Sequence, residues 1–219
     1  MRVGTDGVLL GAWAELPDGN NLAPTILDIG TGCGLIALMA AQRCPAAHVT
    51  GIDIDAASVD EARLNVTASP FAARVTILQT SLQELMAEPF AAIICNPPFF
   101  EETLLPPDVA RAAARHTSTL PFPILARCAS KLLTPDGTFS LVLPTSAFDD
   151  FIHTAFAEGL RLARRLDVRT SPHKTPKRTL ATFRHAPYDS APVTAIMNLT
   201  NGSARSDDYA RLTRDFYVH

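Results

Sequence analysis

The chain has 219 residues, 47% of them hydrophobic and 19% charged, which is ordinary for a globular protein, and we expect one domain over residues 1–219. No apolar run reaches the roughly 18 residues that cross a bilayer, and the start lacks the pattern of a signal peptide. The four scattered cysteines favour reduced thiols over disulfides or a zinc site. We therefore expect a cytoplasmic protein without a membrane segment or bound metal, with a monomer as the default.

The net charge of −3 conceals an uneven distribution of charge. Between Leu160 and His185 there are eight Lys or Arg residues and one acid, Asp167, so this segment carries +7 and the rest of the chain −10. One basic segment on an otherwise acidic protein favours a local anionic partner such as nucleic acid. The alternative is a solvated basic hairpin. The basic residues are Arg161, Arg164, Arg165, Arg169, Lys174, Lys177, Arg178 and Arg184.

Short β-branched segments alternate with helical patterns along most of the chain. A first helix is expected near Thr5 or Asp6, either of which could cap it, with Leu9, Leu10 and Trp13 facing inward. This alternation predicts an α/β fold with a mainly parallel sheet covered on both faces. Strands are predicted at 25–29, 49–54, 75–79, 91–95, 138–143, 160–169 and 179–185, with 193–199 as a candidate for one more. Further helices are predicted from 34 to about 44 and at 56–67, 82–86, 121–133, 148–158 and 207–216, and a polar loop that could form a lid at 101–119.

A glycine-rich turn follows the first predicted strand, in the run Gly30-Thr31-Gly32-Cys33-Gly34. Gly30, Gly32 and Gly34 allow a tight backbone turn on which a ligand can lie without meeting a Cβ atom. The GxGxG spacing differs from the GxGxxG of dinucleotide enzymes, which disfavours a nicotinamide oxidoreductase, and a P-loop is excluded. Asp28 and Asp53 flank this turn with acids, and Asp53 could accept both hydroxyls of a ribose. A zwitterionic ligand with a ribose and no phosphate fits, and S-adenosylmethionine is such a ligand. Alternatively, the loop merely packs helix on strand and Asp53 caps a helix.

The fourth predicted strand ends in Asn96-Pro97-Pro98-Phe99-Phe100. Two prolines force the chain out of the sheet, and Asn96 is held extended because a proline follows it. This corner would present the carboxamide of Asn96 and the carbonyl of Pro97 beside the ring of Phe99. The alternative is a rigid turn followed by core phenylalanines.

These motifs, at these strand ends and in this order, resemble the class I S-adenosylmethionine-dependent methyltransferases of the Asn-Pro-Pro-Phe subclass. More narrowly, the chain resembles the bacterial family that methylates N6 of the adenine next to the anticodon in valine tRNA. The resemblance implies a Rossmann-like fold with a mainly parallel seven-stranded sheet, helices on both faces and an antiparallel C-terminal strand pair. The segments that carry the resemblance are 3–14, 28–34, Asp53, 96–100, 114–117, 176–178 and 215–217.

The resemblance also implies roles for residues outside these motifs. The cofactor would be S-adenosylmethionine, with Thr5 and Asp6 beside its methionine end and Ile54 after the ribose-binding acid. Ser81 occupies the place of an acid that often contacts the adenine amine in related enzymes. The family usually carries a stretch before Gly4, so an N-terminal segment is expected to be missing. The proposed contacts to substrate RNA are Arg115, His116, Lys174, Lys177 and Arg178.

The resemblance suggests a mechanism in which the adenine amine is oriented rather than deprotonated. The side-chain oxygen of Asn96 and the carbonyl of Pro97 would accept its two hydrogens, and Phe99 would stack on the base. The same motif serves guanine-N2 methylation of ribosomal RNA and glutamine methylation of release factors, which remain alternatives. A non-catalytic module that binds S-adenosylmethionine or RNA is an alternative of another class.

Overall fold

The computed structural model describes residues 4–18, 23–97 and 120–217. Within these ranges, strands β1 to β8 span Thr25–Ile29, His48–Asp53, Val75–Gln79, Phe90–Cys95, Leu133–Pro144, Leu160–Arg169, Arg178–His185 and Val193–Asn198. Helices α1 to α6 span Thr5–Trp13, Leu35–Arg43, Ala56–Thr67, Phe122–Leu132, Phe148–Ala157 and Asp207–Thr213. The short strands β9 and β10, Thr200–Asn201 and Ala204–Arg205, pair with each other.

Strands β1 to β8 form one sheet in the order β3-β2-β1-β4-β5-β7-β6-β8. Neighbouring strands from β3 to β5 are parallel, β7 is antiparallel to both β5 and β6, and β8 is parallel to β6. This confirms the mainly parallel α/β fold and the antiparallel C-terminal pair. The predicted count of seven strands is wrong, because Val193–Asn198 adds an eighth strand at the edge.

Both faces of the central strands are buried, which is why β4 is a continuous apolar run and why β1 is apolar apart from Thr25 and Asp28. Ile26 and Ile94 pack into a core shared with α1, α2 and α3. Leu27 and Ile93 face the other side, where α4 and α5 contribute a second core that contains Phe148. No helix in the described ranges has the length and apolarity that a bilayer crossing needs.

Three local predictions are wrong. The predicted helix at 82–86 is a turn. Helix α1 has Gly4 as its N-cap, so neither Thr5 nor Asp6 caps it. Strand β5 begins at Leu133 rather than Thr138, and its register against β4 shifts there, since Phe90 pairs with Leu133 and Ala92 with Thr138.

The register of the sheet brings the predicted site segments to one edge. Ile29 pairs with both Ile52 and Cys95, so the segments after β1, β2 and β4 leave adjacent parallel strands at their carboxyl ends. Because β7 is antiparallel, it begins at this same edge, where Arg178 pairs with Pro144. Carboxyl ends of parallel strands are where α/β sheets bind ligands.

Candidate functional site

The glycine turn after β1 depends on backbone conformations that favour glycine. The φ angles of Gly30, Gly32 and Gly34 are 67°, 56° and 84°. A Cβ atom on Gly34 would lie 3.3 Å from Cβ of Ala62, so Gly34 also allows close packing against α3. Apart from its two chain neighbours, no described residue has an atom within 4 Å of a Cβ atom built on Gly30. Gly30 therefore faces open space in which a ligand can lie against the backbone.

Asp28 lies beneath the turn and is fully buried. Its Oδ2 accepts hydrogen bonds from Oγ1 of Thr31 at 2.6 Å and from the backbone N–H of Ala37 at 3.1 Å. Its Oδ1 has no hydrogen-bond partner among the described residues. Burial raises the pKa of Asp28 from 3.8 to about 7, against the lowering effect of the two hydrogen bonds. Asp28 thus fastens the turn to the start of α2.

Asp53, at the end of β2, is hydrogen-bonded to the backbone of the glycine turn. Its Oδ2 accepts from the N–H of Gly32 at 2.9 Å, and its Oδ1 accepts from the N–H of Asp55 at 3.0 Å. Asp55, rather than Asp53, is the N-cap of α3, so the helix-cap alternative does not describe Asp53. Each carboxylate oxygen of Asp53 keeps acceptor capacity, and the residue is partly exposed. The adjacent side chain of Ile54 is 48% exposed, unusual for an isoleucine.

The segment after β3 is tied to the end of β2. The N–H of Thr80, the residue before Ser81, donates to the carbonyl of Asp53 at 3.0 Å. The hydroxyl of Ser81 donates to Oε2 of Glu84 at 2.7 Å. Glu84 is an acid that the sequence reasoning missed near this position. The Ser-x-x-Glu spacing, typical of a capping turn, is the signal that could have identified it.

Asn96 leaves β4 directly after the buried Cys95, and it is half-buried while Pro97 is buried. The first turn of α1 lies against it: a Cβ atom on Gly7 would be 3.8 Å from Nδ2 of Asn96. The structure thus brings the helix that carries Thr5 and Asp6 next to the Asn96-Pro97 corner. Phe99 lies outside the described residues.

Arg178, at the start of β7, reaches the first turn of α1. Its Nε donates to Oδ2 of Asp6 at 2.8 Å, and its Nη1 donates to the carbonyl of Lys177 at 3.1 Å. Both partners of the ion pair are about one-third exposed. Two predicted site residues that are 172 positions apart therefore form one ion pair.

The other arginines of the basic segment also have partners within the protein. Arg164 and Arg184 both pair with Glu15, and Arg165 pairs with Asp167 at 3.0 Å. Further contacts join Arg169 to Asn198 and place Arg161 over the ring of Phe156.

Lys174 and Lys177 are exposed, and within the described part of the chain their side chains make no ion pair or hydrogen bond. They lie in the segment between β6 and β7, at the edge of the sheet that carries Asn96. The free positive charge of the segment is therefore concentrated at this edge. Arg115 and His116 lie outside the described residues, so their predicted roles stay predictions.

Comparison with known proteins shows the family of the chain. A family model described as the methyltransferase small domain matches residues 14–156. The tRNA1(Val) (adenine(37)-N6)-methyltransferase of Porphyromonas gingivalis is 45% identical over 227 residues, covering 100% of this chain and 89% of that protein. The protein of the same name from Phocaeicola vulgatus is 40% identical over 220 residues, covering 100% of this chain and 92% of that protein.

Solved structures share the fold at lower identity. A predicted O-methyltransferase from Agrobacterium tumefaciens has a TM-score of 0.72 and 20% identity, with 96% of each chain covered. A glycopeptide N-methyltransferase complexed with S-adenosylmethionine has a TM-score of 0.61 and 11% identity, covering 82% of this chain and 94% of that one. The chain belongs to the methyltransferase small domain family and to the family of tRNA1(Val) (adenine(37)-N6)-methyltransferases.

Proposed function

We propose that this protein transfers a methyl group from S-adenosylmethionine to N6 of an adenine in tRNA, at the position next to the anticodon of valine tRNA. The observation that carries the proposal is the meeting of the glycine turn, Asp53 and Asn96 at one edge of the sheet, in a chain 45% identical to an enzyme named for this reaction. The protein acts in the cytoplasm, where tRNA is found.

The residues at this edge fit S-adenosylmethionine. The open space over Gly30 admits the ligand, and the carboxylate of Asp53 has acceptor capacity for the two ribose hydroxyls. The exposed side chain of Ile54 offers an apolar surface to the adenine ring, and Ser81 follows the residue that is hydrogen-bonded to the end of β2. Thr5 and Asp6 border the methionine end. When bound, the cofactor supplies an electrophilic methyl group on a sulfonium sulfur.

Asn96 and Pro97 orient the acceptor amine. The lone pair of an adenine amine is delocalised into the ring, so transfer depends on holding the nitrogen in line with the methyl group and away from water. Oδ1 of Asn96 and the carbonyl of Pro97 accept the two amine hydrogens, which also stabilises the positive charge that develops on nitrogen. Phe99 stacks on the base, which must be turned out of its neighbours. After transfer, one hydrogen leaves the nitrogen as a proton.

The exposed lysines provide the contact with the RNA backbone. Lys174 and Lys177 stand at the edge of the sheet where the substrate base must enter, and they neutralise phosphates there. Arg115 and His116 belong to the same contact in this proposal. Arg178 differs from the two lysines because its guanidinium already forms an ion pair with Asp6.

The test uses methyl-labelled S-adenosylmethionine with unmodified tRNA, ribosomal RNA and release factor offered in parallel. The label is expected in N6-methyladenosine from tRNA. Label in N2-methylguanosine or in methylglutamine would refute the substrate, and cofactor binding with no label in any acceptor would indicate a non-catalytic module.

Asn96→Ala tests the assignment of the catalytic corner. It removes an oriented acceptor, so kcat is expected to fall by about 100-fold or more while the Kd for S-adenosylmethionine changes little. Equilibrium binding and single-turnover rates separate the two quantities. Equal losses in kcat and in cofactor affinity would contradict the role of Asn96.

A further inference from the structure

The backbone around Arg178 is held on both sides. Arg178 pairs with Pro144 of β5 and with Val168 of β6. The N–H of Lys177 donates to the carbonyl of Val168 at 3.0 Å, and the N–H of Thr145 donates to the carbonyl of Lys177 at 3.2 Å. Arg178 therefore projects from a fixed point of the sheet.

Within the part of the chain that the structure describes, the start of α1 has less local support. Its N-cap is Gly4, which has no side chain with which to satisfy the first N–H groups of the helix. The ion pair between Asp6 and Arg178 joins this turn to the sheet at 2.8 Å. The carboxylate of Asp6 in the first turn also interacts favourably with the helix dipole.

This turn also borders the catalytic corner. A Cβ atom built on Gly7 would lie 3.8 Å from Nδ2 of Asn96 and 3.4 Å from Cδ2 of Leu35, so the backbone of Gly7 is close to both side chains. Leu35 is the first residue of α2. A displacement of the first turn of α1 would therefore change the surroundings of Asn96 and of the helix that follows the glycine turn.

We propose that Arg178 is a positioning residue, which holds the first turn of α1 against Asn96 through its ion pair with Asp6, and that it does not serve as a contact to RNA phosphate. The proposal rests on the proposed function, in which Thr5 and Asp6 border S-adenosylmethionine. Arg184 and Arg164 contact Glu15, beyond the end of α1, and Arg165 contacts its own strand. Among the described arginines of the basic segment, Arg178 is thus the one that is paired with the first turn of α1.

Binding of S-adenosylmethionine without RNA provides the first test. Arg178→Ala is expected to raise the Kd for the cofactor about fivefold, because a partly exposed ion pair contributes modestly. It is also expected to speed amide hydrogen exchange in residues 5–13 of the cofactor-free protein. Arg178→Lys should restore part of the affinity, since it returns the charge without the geometry of the guanidinium.

A double-mutant cycle tests whether Arg178 acts through Asp6. On an Asp6→Asn background, Arg178→Ala should cause little further loss of cofactor affinity. Additive losses from the two substitutions would overturn the proposal.

Binding of tRNA distinguishes a positive charge that contacts RNA phosphate from one that forms an ion pair within the protein. Lys177→Ala, the matched neighbour, should weaken tRNA binding and reduce its salt dependence, with no change in the Kd for S-adenosylmethionine. Arg178→Ala should leave the salt dependence of tRNA binding unchanged. If it instead behaves like Lys177→Ala, with normal cofactor affinity and normal exchange in α1, Arg178 contacts RNA and the proposal is wrong. The cofactor titration uses no RNA, so a failure of the proposed substrate would not affect its outcome.

Discussion

The buried carboxyl group of Asp28 allows a quantitative test of the site. Its pKa is raised from 3.8 to about 7 by burial, so the folded protein holds this proton more tightly than the unfolded chain does. The stability that Asp28 contributes is therefore fully present below pH 3.8 and is lost as the pH rises towards 7. A difference of about three pKa units corresponds to about 4 kcal/mol in the free energy of unfolding.

Asp28→Asn removes this ionisation and preserves the shape of the side chain. The amide oxygen can still accept from Thr31 and from the N–H of Ala37, and the amide N–H groups cost the same free energy at every pH. Relative to the natural protein, the variant is expected to gain up to about 4 kcal/mol between about pH 4 and about pH 8. Urea denaturation at a series of pH values, followed by the fluorescence of Trp13, measures this difference.

Asp55→Asn is the control, because Asp55 is exposed and its pKa is lowered by hydrogen bonds from Ser58. The stability that Asp55 contributes is present above pH 3.8 and is lost as the pH falls below that value. Asp55→Asn should therefore leave the slope of the unfolding free energy against pH unchanged at higher pH. A difference between Asp28→Asn and the natural protein that does not vary with pH, or that varies in the opposite direction, would refute the reasoning about burial.

Two glycine substitutions distinguish the packing of protein atoms beneath the glycine turn from the access of the cofactor to its open side. In Gly51→Ala the new Cβ atom would lie 2.7 Å from Oγ1 of Thr31 and 2.8 Å from Cδ1 of Ile77, so we expect a loss of about 1–3 kcal/mol in stability and weaker cofactor binding. In Gly30→Ala the Cβ atom meets no atom of the non-neighbouring described residues within 4 Å, and the φ angle of 67° is unfavourable for alanine. Stability should then fall by only about 1 kcal/mol while cofactor affinity falls by much more. Thermal unfolding and titration with S-adenosylmethionine measure both; unchanged stability in the first variant, or unchanged affinity in the second, would contradict the geometry.

The interior of the fold could be predicted because burial leaves a clear pattern in the sequence. The predicted bounds of β1, β3 and α3 are those of the structure. At the surface the pattern weakens. Strand β8 is an edge strand with Val193 67% and Ile196 57% exposed, so its apolar residues did not establish it as a member of the sheet. Leu82, Leu85 and Met86 have helical spacing, yet the segment forms a turn in which Ser81 bonds Glu84.

Contacts between distant segments could not be predicted from local pattern. A count of charges gives Arg178 and Lys177 the same weight, although one is paired with Asp6 and the other is exposed. That difference depends on the fold, which brings the start of β7 next to the first turn of α1. The glycine turn, Asp53 and Asn96 were easier to place, because each directly follows a strand and parallel neighbours end at the same edge.

The position of β7 has a consequence for how the chain is synthesised. β7 covers the second edge of β5, yet it follows β6 in the sequence, and the match to the methyltransferase small domain ends at residue 156, within α5. A nascent chain that stops there exposes an unpaired strand containing Phe139, Leu141 and Leu143, which is a template for aggregation. This edge of β5 is therefore protected only after residue 185 has left the ribosome, so the C-terminal third of the chain is needed to complete the sheet.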